Sequence, residues 1–146
     1  MRDAKPLEEI RSQGKTLAII LRANFRSDTL SFFSPADFSQ QLGYLPHKAG
    51  KVIPAHFHRR VQREITLTQE VLFIRSGRVR ATLYDEDREF VASLELGTGD
   101  LIFLCSGGHG FEVLEDSEII EVKQGPYSGR DSDKIVFESH GKDTGQ

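Results

Sequence analysis

The chain has 146 residues, 38% hydrophobic and 28% charged, so it is long enough for one domain with its own core and too apolar for a disordered segment. Its formal net charge of −3 gives no overall basic field, so nucleic acid is not an expected partner. The single cysteine, Cys105, cannot form an internal disulfide, and no apolar leader or membrane-length apolar run is present. These features predict a cytoplasmic protein without membrane contact.

The predicted elements begin with a short helix between Pro6 and Gly14, because proline suits a first helical turn and glycine a helix end. Most later segments alternate apolar and polar residues between turn signals, which is typical of short strands. They are TLAIILRANF, TLSFFS, two strands around Lys48 to Gly50, two long alternating segments of which the second turns at Asp85 to Arg88, and DLIFLCSGG, HGFEVLED and SEIIEVKQG. About ten strands without a long helix predict an all-β sandwich or barrel.

Four side chains indicate a metal site. His56 and His58 are two residues apart in a segment that reads as a strand, so both are predicted on one face. Glu70 opens the next β-like segment, and His109 closes a later one. Three imidazoles and a carboxylate inside a β-structure form a ligand set for a first-row divalent metal.

The carboxylate of this set has an alternative. If residues 63–74 form one long strand, Glu64 shares a face with Glu70 and could supply the ligand instead. Otherwise Glu64 is expected in the substrate pocket.

A family resemblance rests first on the spacing around these residues. Five residues separate Gly50 from His56, His58 follows, and six residues separate Glu70 from Gly77. This pattern resembles the first cupin motif. The His58 to Glu70 interval, with eleven residues, is longer than the usual motif has.

The second cupin motif is also recognisable. Five residues separate Gly99 from Cys105, which stands where the family has proline, and Gly107 and His109 follow. The resemblance implies a double-stranded β-helix, the cupin jelly-roll barrel, in a single domain over residues 1–146. Its core would cover about 41–124, with the N-terminal helix and strands in 5–33 and a polar tail in 126–146.

The pocket beside the metal is expected to be mainly apolar with a few polar groups, which favours a small organic ligand. Arg59 and Arg63 follow the histidine pair and would bind an anionic group there, although a run of charges is also typical of a solvated surface. The full set of expected pocket residues is Gln41, Tyr44, Arg59, Arg63, Glu64, Leu72, Phe103, Phe111 and Gln124.

The resemblance implies a metal-dependent oxygenase or isomerase that acts on a small polar or anionic substrate, with one divalent ion of Fe, Mn, Ni, Zn or Co. Ligand type alone does not choose among these metals. Two alternatives stay open. One is a non-catalytic cupin that binds a ligand or metal, and the other resembles metal-free isomerases or epimerases of nucleotide-linked sugars in surface-polysaccharide biosynthesis, with histidine as acid and base.

A homodimer is also expected. The segment TLAIIL is apolar on both faces, so its second face needs a cover, and a second barrel would provide one. The alternative is that the N-terminal helix and the tail segment KIVF cover this strand within one chain.

Overall fold

The computed structural model describes residues 4–138, which form eight strands and one four-residue helix, so the predicted all-β class is confirmed. No helix among these residues is long and apolar enough to span a bilayer. The elements are β1 (Leu7–Ser12), β2 (Lys15–Leu21), β3 (Ser31–Phe32), β4 (Gly43–Tyr44), β5 (Glu70–Tyr84), β6 (Phe90–Gly97), β7 (Leu101–Leu104), β8 (Gly108–Lys123) and α1 (Arg130–Asp133).

The described residues divide into two compact units. The first contains residues 4–25 and 68–138 and carries a six-stranded antiparallel sheet. The second is Arg26–Leu67, which carries the two-residue strands β3 and β4.

The predicted N-terminal helix is wrong, because the same residues form β1 and pair with β2 as a hairpin. Gln13 and Gly14 connect the strands with φ of 51° and 75°, and two positive φ values are typical of the type I′ turn that joins twisted strands. The pairing places Ile10 against the core, which a lone one-turn helix could not achieve as well.

The sheet of the first unit curls around an apolar core. Its order is β1-β2-β7-β5-β6, and β8 pairs with β5 along nearly the whole strand. Before Gly77, Leu72 and Ile74 of β5 are buried on the inner face; after it the alternation changes phase, so that Leu83 is buried there while Arg78 and Arg80 point outward. This alternation is why the sequence forms a strand with one wet face.

The turn predicted at Asp85 to Arg88 is present at one end of this central ladder. Asp85 accepts hydrogen bonds from the backbone N–H groups of Asp87 and Glu89, which closes the β5–β6 hairpin as predicted. In the middle of β5 the register with β8 shifts repeatedly around Gly77, whose φ is 90°. These irregularities let the strand bend and the sheet curl.

Strand β2 is buried within one chain. Residues from Thr16 to Ile20 are all buried, and β1 and β7 flank the strand on its two edges. The apolar segment therefore does not leave the uncovered face on which the dimer expectation was based. The dimer itself stays a prediction.

The C-terminal segment folds back onto the end of β5. The ring of Phe137 packs edge-on against the ring of Tyr84, with centroids 5.4 Å apart. Ile135 and Val136 are largely exposed. The rest of the predicted polar tail, residues 139–146, lies outside the described residues.

The second unit is organised by Ser34 and Gln41. Ser34 donates to the side-chain oxygen of Gln41 at 2.8 Å and accepts from the backbone N–H of Leu42, which is buried. The amide nitrogen of Gln41 donates to the carbonyls of Pro35 and Phe38. Gln41 therefore fixes a turn within this unit.

Residues 51–67, which we call the arm, contain no helix or strand, and every one of them is exposed. The strand predicted through PAHFH is therefore not formed, and the long strand predicted for residues 63–74 is wrong because β5 begins at Glu70. An extended segment becomes a β-strand only when its backbone N–H and C=O groups form hydrogen bonds with a neighbouring strand. Within residues 4–138, the arm has no such strand partner.

Candidate functional site

The inner face of the curled sheet and the C-terminal segment enclose a cavity of about 570 Å³ in the first unit. Strand β5 contributes Glu70 and Leu72 to its wall, while β8 contributes the glycine-rich segment from Gly108 to Phe111. The remaining lining residues are Thr68, Tyr84, Gly107, Glu121, Asp133, Lys134, Ile135, Val136 and Phe137.

Two of the four predicted metal ligands meet in this cavity. Nε2 of His109 lies 3.2 Å from Oε2 of Glu70. The Glu70 side chain is almost completely buried, whereas the His109 side chain is about one third exposed. The imidazole is therefore the part of the pair that a cavity ligand can reach.

The surroundings of Glu70 favour its charged form. The hydrogen bond with His109 lowers the pKa of the Glu70 carboxyl, burial opposes this effect, and the charges of His109, Lys123 and Lys134 lower the pKa further. Nζ of Lys123 lies 3.8 Å from Oε1 of Glu70. A carboxylate held ionised beside an imidazole can act as a ligand or can orient the ring.

Lys123 connects this pair to the C-terminal segment. Its Nζ lies 3.3 Å from a carboxylate oxygen of both Glu121 and Asp133, and it stands over the ring of Tyr127 at 5.2 Å from the centroid. The hydrogen bond to Asp133, then that to Glu121, raises the pKa of Lys123. Lys123 thus lies among the carboxylates of Glu70, Glu121 and Asp133, whereas the lysine that lines the cavity is Lys134.

Of the predicted pocket residues in the first unit, Leu72 and Phe111 line the cavity. Phe103 does not line it, because it pairs with Val71 on β5 and so points to the opposite face from Glu70 and Leu72. Phe103 is completely buried there. Gln124 accepts a hydrogen bond from the backbone N–H of Gln69 and so positions the chain just before β5.

The other predicted pocket residues belong to the second unit. Gln41 holds the turn described above, and Tyr44 lies on β4. Arg59, Arg63 and Glu64 are exposed residues of the arm.

His56 and His58 lie in the arm with their ring centroids 5.2 Å apart. Nδ1 of His56 lies 2.7 Å from the carbonyl oxygen of Pro54. A carbonyl can only accept, so Nδ1 carries the hydrogen in this contact, and in a neutral ring the lone pair would then lie on Nε2. This is the tautomer that a metal-binding histidine commonly takes.

The donor atoms that do meet fit a metal ion. Two ligands of one ion, each about 2.0–2.2 Å from it, lie roughly 3 Å from each other. The separation of 3.2 Å between Nε2 of His109 and Oε2 of Glu70 therefore suits adjacent ligands as well as a direct hydrogen bond. Within residues 4–138, no three His, Cys, Asp or Glu side chains gather closely enough to hold a metal, so the four-ligand set stays a prediction.

Several cavity residues were not anticipated from the sequence. Glu121 stands opposite Leu72 of the inner face, so an alternation count along β8 could have found it. Tyr84 follows the buried Leu83 and is out of phase with the inner face, so alternation along β5 does not reveal it. Phe137 gave no local signal, because its place in the wall depends on how the C-terminal segment folds back.

Comparison of the chain with protein-family models, with curated proteins and with solved structures found no match in any of the three.

Proposed function

We propose that this chain is a metal-binding protein of the cupin type that acts on a small polar or anionic molecule, as an isomerase or an oxygenase. The observation that carries the proposal is the contact between His109 and Glu70 in the cavity wall. Two side chains with metal-binding groups, one buried and ionised and the other accessible, are combined there with apolar walls from Leu72 and Phe111. Such a combination is typical of small-molecule sites.

The proposed fold is the double-stranded β-helix. The curled antiparallel sheet with β8 along β5 supports it, because this arrangement puts Glu70 and His109 on one inner face. In that fold His56 and His58 would supply the remaining two ligands. The contact between Nδ1 of His56 and the carbonyl of Pro54 supports this assignment, because it leaves Nε2 as the nitrogen that would bind a metal.

A bound divalent ion would act as a Lewis acid toward a substrate oxygen. The residues of the chain have separate tasks in this proposal. Glu70 would stay ionised, His109 would face the substrate, and Lys134, which lines the cavity, would attract an anionic group. Leu72 and Phe111 would exclude water.

Metal titration of purified protein tests the proposal. The expected result is about one equivalent of Fe, Mn, Ni, Co or Zn per chain, measured by elemental analysis after preparation without chelator. His109→Ala should lose the metal, whereas His47→Ala, which changes an exposed histidine outside the proposed ligand set, should retain it. Less than about a tenth of an equivalent in the unchanged protein, with every metal offered, would contradict the metal site.

The same contact also supports a second candidate, a metal-free acid–base site on a nucleotide-linked sugar. Glu70 is positioned to orient His109, and an oriented imidazole can move a proton to or from a substrate carbon near neutral pH. Exchange of solvent deuterium into a nucleotide-linked keto sugar by chelator-treated protein would favour this candidate. Binding of such a sugar without exchange, with or without metal, would favour a non-catalytic binding protein.

A further inference from the structure

Strand β8 has an open edge. It pairs with β5 along one side, and within residues 4–138 no strand pairs with its other side. Val113 of β8 stands opposite the buried Val79, so both side chains belong to the inner face, yet Val113 is 61% exposed. A long strand with free backbone groups and an uncovered apolar residue is a template for a further strand.

The arm is rich in large apolar residues, as a β-strand in a sheet would be, but it belongs to no sheet among the described residues. Val52, Ile53, Phe57, Val61, Ile65 and Leu67 are all large apolar residues with exposed side chains. Phe57 in particular is fully exposed, so none of the described residues shields its ring. A single exposed leucine is ordinary, but a segment with this many apolar side chains marks an interaction surface.

The two surfaces are complementary in charge. The arm contains Lys51, Arg59, Arg60 and Arg63 with only one acidic residue, whereas β8 contains five acidic residues and one lysine. Glu112 and Glu115 of β8 pair with Arg80 and Arg78 but keep side-chain exposures of 63% and 58%. Their carboxylates are therefore still accessible to an arriving arginine.

We propose that the arm of one copy adds as an antiparallel or parallel strand to the open edge of β8 in a second copy, and that this exchange brings His56 and His58 to the Glu70–His109 pair of that copy. The occupant is a second copy because each chain offers both halves of the contact, so two reciprocal exchanges close a symmetric dimer. In this dimer each site takes ligands from both chains.

Strand geometry explains how one arm can both bring its histidines to the site and bury Phe57. In an extended arm His56 and His58 share one face, and Phe57 lies on the other. The histidine face turns to the inner side of β8, where His109 and Phe111 lie, and the face with Phe57 is covered by the dimer. Pro54 lacks an N–H group and is tolerated because the added strand is itself an edge. The ligand assignment rests on the proposed function, but the exchange itself does not.

A crosslinking experiment tests the exchange without any metal. A photoreactive phenylalanine analogue replaces Phe57, and the protein is mixed, unfolded and refolded with an equal amount of isotopically heavy chain. After irradiation, mass spectrometry should find the arm of a light chain joined to residues 108–116 of a heavy chain. Joining only within one chain, or no product with β8, would overturn the proposal.

The oligomeric state gives an independent readout. Light scattering should find twice the single-chain mass of 16.4 kDa for the unchanged protein. Phe57→Ser should weaken the dimer at least tenfold, whereas Leu30→Ser, which changes an exposed leucine outside the arm, should leave it intact. A monomer at micromolar concentration, or a dimer indifferent to Phe57→Ser, would overturn the proposal.

Mixed dimers then test the shared site. One chain carries His56→Ala with His58→Ala, the other Glu70→Gln with His109→Ala, and each alone should bind less than a tenth of an equivalent of Zn. If sites are shared, mixed dimers contain one intact site and recover about a quarter of an equivalent per chain in a statistical mixture. No recovery in mixed dimers whose crosslinks show exchange would leave the exchange standing and reject the histidines as ligands. Failure of the unchanged protein to bind Zn would instead reject the proposed metal function.

Discussion

Glu70 and His109 are in contact although their backbones lie near opposite ends of the same strand ladder. Glu70 stands opposite Lys123, whereas His109 stands opposite Leu83 near the other end of β5. A flat strand from Glu70 to Leu83 would span roughly 40 Å, so a side-chain separation of 3.2 Å requires β5 to bend sharply. The bend falls where the register shifts around Gly77. The candidate site is therefore a product of sheet curvature.

Gly77→Ala should destabilise the first unit by at least about 2 kcal/mol. The φ of 90° at Gly77 is unfavourable for alanine, and an added Cβ would collide with the backbone oxygen of Asp116 and with Ser117. Urea unfolding followed by circular dichroism measures the change.

Gly97→Ala is the matched control for this prediction. Gly97 also lies in a strand, but an added Cβ would have open space around it and its φ is not positive. Its stability should change by less than about 1 kcal/mol. Equal losses in the two variants would show that the bend does not depend on Gly77.

Glu70→Gln should weaken metal affinity at least about tenfold, because the amide is a neutral and poorer ligand than the carboxylate. Glu64→Gln should leave the affinity nearly unchanged, since Glu64 is an exposed residue of the arm. Competition titration with a coloured chelator measures both constants. A larger loss of metal affinity in Glu64→Gln than in Glu70→Gln would instead identify Glu64 as the carboxylate ligand.

Asp100→Ala should cost about 3 kcal/mol of folding stability. The Asp100 carboxylate is largely buried and accepts hydrogen bonds from Arg22 and from the backbone N–H groups of Ala23 and Gly97, each at 2.9 Å. Removal takes this shared acceptor away from all three donors. Glu86→Ala should cost no more than about 1 kcal/mol, because its ion pair with Lys15 is exposed. Thermal unfolding of both variants measures the two losses of stability, and a loss for Glu86→Ala equal to or larger than that for Asp100→Ala would contradict the prediction.

Cys105 should remain an unreactive thiol in the folded protein. Burial, then the charge of Glu9, raises the pKa of the Cys105 thiol to about 12. The folded chain therefore holds this proton more tightly than the unfolded chain, so the group contributes stability that is full below about pH 9 and declines as the pH rises toward 12.

Modification by a disulfide reagent at pH 8 tests the shielding of Cys105. The rate should rise at least about a hundredfold on unfolding, because only the thiolate reacts. A native rate close to that of the unfolded chain would show that the thiol is accessible.

The sequence allowed the central strands and the β5–β6 turn to be predicted, because alternation along the chain reports one buried face directly. It did not reveal β1, where a proline and a glycine suggested helix ends, while the true determinant was pairing with β2. The partnership of Glu70 and His109 came from motif spacing, but the cavity wall from Phe137 depends on long-range packing with Tyr84. Patterns within short windows carry no information on such contacts.

The strand pairing of the first unit also determines the order in which its strands can form during folding. The β5–β6 hairpin joins neighbours in the chain through the turn closed by Asp85, so it can form early and locally. Strand β2 must instead wait for β7, since Ala18 pairs with Leu104 and closing this pair encloses most of the chain in a loop. Until then Leu17, Ile19 and Ile20 have no cover. The protein should thus pass through a folding phase in which its most apolar strand is the one most exposed to association with other chains.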